Sequence, residues 1–215
     1  MNVDGTCNAF WNGQVNFYKS GNGCANTGEI AAVVDHEWGH GLDRNDVDGV
    51  ISSPSGEGIA DVYSALRLGS SCIGRNFKTD VCHSGSDDEC LTCTGVRDID
   101  YLQRKSGLPH KYTWANANCG TDVHCLGYVY AEAIWSLYKR KLQEEPYFYD
   151  DLTALEITTR LTYIAAGVTS TWFSGGPPYG GCDGSSGYKN FLAADDDDGD
   201  LTNGTPRKYY VMNHV

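Results

Sequence analysis

Alternation and helical periodicity divide the chain before any chemistry is considered. Residues 7 to 20 alternate apolar and polar positions, and Gln14-Val15-Asn16-Phe17-Tyr18 reads as a short strand running into the turn Ser20-Gly21-Asn22-Gly23. Asn26 followed by Glu29 is a capping-box start, and Ile30, Val33, Val34, Glu37 and Trp38 carry helical periodicity from there. Gly41 and Asp43 place the end of that helix just past His40. Ser53-Pro54-Ser55 opens a second helix whose apolar face is Ile59, Val62, Tyr63 and Leu66. Residues 69 to 123 show no sustained period and read as irregular. Gly127 to Gln143 is a strong helix, with Val129, Ala133, Ile134, Leu137 and Tyr138 on one side and Lys139, Arg140 and Lys141 complementing its dipole at the end. Asp150 or Asp151 caps a further helix through Leu155, Leu161 and Ile164 to Gly167, and Ser174 to Gly187 is a Gly-rich loop.

Helices alongside a small strand layer indicate an α+β fold, and 215 residues can bury a real core. We divide the chain into 1–68, a 69–123 Cys-rich irregular segment, and a 124–215 helical C-terminal lobe with an acidic tail, together one unit. A net charge of -12 argues against a nucleic-acid partner and against an anionic membrane surface, and no apolar run is long enough for membrane insertion.

Nine cysteines at this density indicate disulfides and hence a secreted, extracellular setting. Cys7 and Cys24 can tie the first hairpin, Cys119 and Cys125 bracket His124, and Cys72, Cys82, Cys90 and Cys93 crowd one region. The odd number leaves one thiol over, and Cys182 is the most isolated. Cys90-Leu91-Thr92-Cys93 has a rival reading as a redox pair or structural zinc site, although neither a βαβ pattern nor a second such motif accompanies it. Met1 is followed by no signal peptide, so we read the chain as the core of a longer precursor that carries further domains.

The chemistry concentrates between Asn26 and Leu66. His36-Glu37-Trp38-Gly39-His40 puts two imidazoles on one face of a helix, where both can bind one Zn2+. Glu37 lies beside that ion and can take a proton from its water. A catalytic zinc usually takes three protein ligands. Glu57 is the third candidate, and Asp61, four residues on, is placed to accept a hydrogen bond from a ligand histidine. The tail run Asp195, Asp196, Asp197, Asp198, Gly199, Asp200 could hold Ca2+ or be a solvated acidic turn, since it lacks the EF-hand pattern. Asp46 and Asp48 are a weaker calcium candidate.

HExxH with a downstream Glu, and an Asp four residues after it, resembles the gluzincins, the thermolysin-like and fungalysin-like zinc metallopeptidases. The likeness touches most of residues 7 to 140. It implies a zincin of two lobes around a zinc cleft and the hydrolysis of internal peptide bonds in a peptide or protein substrate. Asn8-Ala9-Phe10-Trp11 resembles the edge strand that pairs with substrate, so Asn8 and Ala9 are implied substrate contacts, with Arg97 as the substrate-binding arginine. Asp122-Val123-His124 resembles the segment carrying the transition-state histidine, which makes His124 a second catalytic residue. Two departures stand out. No Tyr lies between His40 and Glu57 to help hold an oxyanion, leaving Tyr112 or Tyr179 as replacements; and Cys119 stands where the family has a carboxylate partner for that histidine, leaving Asp122 as the nearer substitute. Two other readings are a non-catalytic zinc-bound module of a larger secreted protein and an exopeptidase on the same scaffold. The retained Glu37 argues against the first, and the second lacks an anchor for a peptide terminus.

Overall fold

A computed structural model describes residues 2–45, 54–84, 88–144, 146–168 and 186–208. Strands β1 (Asn2–Val3), β2 (Ala9–Trp11) and β3 (Val15–Tyr18) form a sheet of order β1-β3-β2, with β3 parallel to β1 and antiparallel to β2. The Cys7–Cys24 disulfide ties this hairpin to the segment after it. Phe17 packs with Cys24, Ile30, Ala32, Val33 and Phe77 into a small core beneath the sheet.

Helix α1 (Ala31–Arg44) starts later than its sequence indicates and ends one residue past Asp43. Asn26 does cap a helical turn, but that turn is a separate 3-10 segment, Thr27–Glu29. The Thr27 hydroxyl is bound to the backbones of Asn8 and Tyr18, and Ile30 is extended, so α1 starts only after it. At the other end, Gly41 does not terminate the helix. A Cβ there would stand 2.9 Å from Trp11 Nε1, so the glycine serves close packing under the indole.

Helix α2 (Pro54–Leu68) begins at proline, whose missing N–H costs nothing at that position. It lies between α1 and α4 (Val123–Ser136), and glycines set both approaches. A Cβ on Gly39 of α1 would fall 2.8 Å from Ala60 Cα, and one on Gly58 would fall 2.9 Å from Gly127 O. Gly127 is therefore an interior contact of α4 and not its start. The helix begins four residues earlier than the periodicity indicates, because Asp122 caps it.

Gly39→Ala tests this packing. Intrinsic propensity favours the alanine by about 1 kcal/mol. The clash is with backbone, however, and we expect a net loss of about 1–3 kcal/mol. For a chain of this size that is a melting temperature lower by about 2–12 °C. An unchanged or higher melting temperature contradicts the contact.

Segment 69–123 is less irregular than expected. Strand β4 (Cys72–Ile73) pairs with β7 (Arg97–Asp98), β5 (His83–Ser84) pairs with β6 (Asp88–Glu89), and a short helix α3 (Tyr112–Asn118) follows. The remainder is cross-linked. Cys72–Cys93 and Cys82–Cys90 form a buried sulfur cluster, so the two cysteines of Cys90-Leu91-Thr92-Cys93 bond to different partners and make no redox pair. A buried polar network ties this segment to α4: Arg104 pairs with Glu132 and, at 3.0 Å, with Asp88, while His110 Nδ1 is 2.7 Å from Glu132.

The main core joins α2 and α4 to α5 (Asp151–Ala166) and α6 (Ser186–Asp195) through Ile59, Val62, Ile134, Leu161 and Phe191. Asp150 caps α5, as its sequence indicates. Asp46, Asp48, Tyr179 and Cys182 lie outside the described residues. Among the described residues, no helix is long and apolar enough to cross a membrane.

Candidate metal centre

Helices α1 and α2 present their polar residues to one another at the floor of a cleft of about 850 Å3. One turn of α1 separates His36 from His40, and both imidazoles project to the same side. Their Nε2 atoms stand 3.1 Å apart. Glu57, in the first turn of α2, places Oε2 3.3 Å from His36 Nε2 and 3.6 Å from His40 Nε2.

Those distances test the fit of a metal. Ligands at about 2.0–2.1 Å from a tetrahedral zinc stand roughly 3.3 Å from one another. Two nitrogens and one oxygen here have that mutual spacing. Glu57 Oε2 is buried and, among the described residues, accepts no well-formed hydrogen bond, although three imidazole nitrogens surround it. A buried carboxylate oxygen left this way is costly unless a cation takes it. The three residues could therefore hold a metal ion.

Asp61 lies one turn along α2 from Glu57, as its spacing indicates. Its Oδ1 is 2.8 Å from His36 Nδ1, which directs Nε2 of that ring to the metal position. The sequence does not reveal that Arg97 grips the same carboxylate at both oxygens, at 2.5 and 2.7 Å. Arg97 reaches it because β7 pairs Arg97 with Ile73 and Cys93 Sγ contacts the Arg97 carbonyl. The Cys-rich segment thus delivers a buried guanidinium to the ligand's support.

Electrostatics match this division of labour. Burial alone lowers the His36 imidazolium, but the hydrogen bond and charge of Asp61, with Glu57 nearby, carry its pKa to about 9. Burial and the charge of His36 send His40 down to about 4. Burial would raise Glu57, yet the surrounding imidazoles, His36 first, hold it near about 2. Asp61 lies below the usual carboxylate range: burial opposes its charge, but Arg97 and His36 outweigh burial. Burial, partly offset by His36 and reinforced by Glu57, lifts Glu37 to about 7.

Below pH 9 the His36 proton must leave before a cation can bind. Affinity should rise about tenfold per pH unit toward that value and flatten above it, with about one proton released at neutral pH. Calorimetry in buffers of different ionisation enthalpy measures the release. An affinity that is flat between pH 6 and 9 contradicts the arrangement.

The other expected residues fall around the same cleft. Asn8, Ala9 and Trp11 line one wall. Among the described residues β2 is an edge strand, bonded to β3. His124 lies in the first turn of α4, with Nε2 3.3 Å from Glu57 Oε2. It does not belong to the trio whose ligand atoms all lie within 4.8 Å of one another. Asp122 stands 3.3 Å from His124 Nδ1.

Neither Tyr112 nor any other tyrosine except Tyr128 lines the cleft among the described residues. Tyr128 is one turn beyond His124, and that spacing was the available signal. Its hydroxyl is buried and has no hydrogen-bond partner among the described residues. Sequence reasoning also missed Val33, Ile73, Phe77 and Val96, which make an apolar part of the lining.

The acidic tail divides. Asp195 is buried and bound to the Arg207 guanidinium and backbone, while Asp196, Asp197 and Asp198 remain close enough to share a cation. Asp200 accepts hydrogen bonds from Thr202.

Compared with family models, characterised proteins and solved structures, the chain has no match.

Proposed function

We propose that this chain is a secreted zinc-dependent endopeptidase of the zincin type. The observation that carries the reading is the convergence of His36, His40 and Glu57 at tetrahedral spacing, with Glu37 buried beside them in an open cleft. Zinc held there supplies a Lewis acid that acidifies water and polarises a carbonyl.

The chain's own groups supply the rest. Glu37, with a pKa near 7 before any cation lowers it, receives the proton of the attacking water and returns it to the leaving nitrogen. His124 faces the ligand carboxylate from the opposite wall and donates to the oxygen that gains charge. The open edge of β2 accepts an extended peptide as an added strand, with Asn8 and Ala9 in contact. Arg97 has both carboxylate contacts committed to Asp61, so its main work is support, and any substrate contact is additional. The apolar wall of Val33, Ile73, Phe77 and Val96 suits a large aliphatic or aromatic side chain next to the scissile bond.

The test is digestion of a mixed peptide library with mass-spectrometric mapping of the cuts. Internal cleavage beside large apolar residues, stopped by a chelator and restored by zinc, is the expected result. Zinc retention with no cleavage anywhere in the library overturns the peptidase reading and leaves a binding module.

A further inference from the structure

We infer that Lys78 is a specificity-determining residue that anchors a carboxylate of the substrate, one or two residues from the apolar side chain held in the cleft. The inference rests on the peptidase reading for the cut itself, and on the build of one wall for the anchor. That wall is the strip Phe77-Lys78-Thr79-Asp80, which lines the cleft together with Asn22, Gly23 and Cys24. Lysine and arginine enter the lining at two positions, Lys78 and Arg97. Arg97 is buried and committed to Asp61. Lys78 is exposed, and among the described residues no carboxylate pairs with it. Of these two cations, Lys78 is the one left for a ligand.

Its side chain is long, but its root is fixed. The Phe77 N–H donates to the Gly74 carbonyl at 2.8 Å and closes a turn in which Gly74 and Asn76 take φ of +72° and +70°. The Phe77 carbonyl accepts the Ala25 N–H at 3.1 Å, and the Lys78 N–H donates to the Thr94 carbonyl at 3.1 Å. Lys78 also forms an antiparallel bridge with Cys24. Both flanks are cross-linked: Cys24 to Cys7, and Cys93, next to Thr94, to Cys72. Phe77 is 5% exposed and belongs to the apolar wall, so adjacent residues present an apolar surface and then a cation. Consecutive Cα atoms lie about 3.8 Å apart and an extended peptide advances about 3.4 Å per residue, which sets the separation of one or two residues. Asp80 lines the cleft further along the strip without pairing with Lys78, and repels a carboxylate carried beyond that point. Two peptide groups offer the chemistry that Lys78 selects: an Asp or Glu side chain, and a free C-terminus.

The experiment measures kcat/KM of the zinc-loaded chain on end-blocked peptides that differ only by Glu or Gln, with the exchange walked through each position flanking the cut. A second set keeps Gln throughout and ends, at each position beyond the cut, in a free carboxylate or an amide. We expect one position at which the carboxylate is favoured about 2- to 5-fold, through KM, the range of an exposed ion pair. The ratio should fall toward one in Lys78→Met and as salt is raised, and Lys78→Glu should favour lysine at that position instead. Each value is a ratio within one variant, so a change in the folded fraction cancels. A gain from Glu assigns the anchor to an acidic side chain, and a gain from the free carboxylate alone assigns it to the chain terminus. A ratio near one at every position, or a preference that survives in Lys78→Met, overturns the inference.

If no peptide is cut, the peptidase reading fails, and the anchor is read from binding. Chemical-shift titration with blocked Leu-Glu, blocked Leu-Gln and Leu-Gln bearing a free carboxylate should rank a carboxylate ligand first in the unaltered chain and level the three in Lys78→Met. Equal affinities in the unaltered chain overturn the anchor independently.

Discussion

Glu37→Gln is expected to abolish peptide cleavage while leaving the metal in place. Glutamine keeps the shape and burial of the side chain but cannot accept a proton. General acid–base catalysis of this kind is worth about 100- to 10,000-fold. Glu37 sits beside the metal position and is not one of the trio that could hold the ion. Its pKa of about 7 makes it the group best matched to proton transfer near neutral pH. The variant should therefore bind zinc as the unaltered chain does, with kcat reduced by that factor. Zinc content measured alongside a cleavage assay separates the outcomes: loss of both assigns Glu37 to metal binding, and loss of neither removes it from the mechanism.

The second large effect is on stability. Asp61→Ala strips the buried Arg97 of its carboxylate partner. Arg97 is 8% exposed, and its side chain packs against a carboxylate that is 2% exposed. Removing one partner of such a pair typically costs about 3–5 kcal/mol. In a chain of this size that is a melting temperature lower by about 6–20 °C. His36 loses its orienting acceptor as well, so zinc affinity should fall about 10- to 100-fold. Adding Arg97→Leu removes the stranded charge and should recover much of the stability, but not the affinity. Denaturant unfolding and zinc titration of the single and double variants make the check. Recovery of both, or of neither, contradicts the separate roles assigned to the ion pair and the hydrogen bond.

The parts of the site that were legible in the sequence are those built on helical spacing. His36 with His40 and Glu57 with Asp61 are each four residues apart, and the helix alone puts each pair on one face. The meeting of the two helices depends on glycines whose role is tertiary. Gly41 and Gly127 read locally as helix boundaries, yet both are interior: Gly41 admits Trp11, and the Gly127 carbonyl is the backbone that Gly58 of α2 approaches. Arg97 was legible only through a family resemblance, and its grip on Asp61 was not. That contact needs the β4–β7 pairing and the Cys72–Cys93 bond, which join residues far apart in the chain. The network of Arg104, Asp88, Glu132 and His110 was invisible for the same reason: no local period connects its members. Disulfide connectivity was open in the sequence: Cys7 and Cys24 offered a tie across one hairpin, Cys119 and Cys125 only bracketed His124, and the four crowded cysteines allowed several pairings.

The central claim is that His36, His40 and Glu57 form a zinc site of two imidazoles and one carboxylate. X-ray absorption at the zinc edge of the chain loaded with one equivalent tests it most directly. We expect a first shell of nitrogen and oxygen at about 2.0–2.1 Å, outer-shell scattering from two imidazoles, and the loss of one imidazole in His40→Ala. Sulfur at about 2.3 Å, or no tightly held zinc, would contradict the account and move the metal away from these residues.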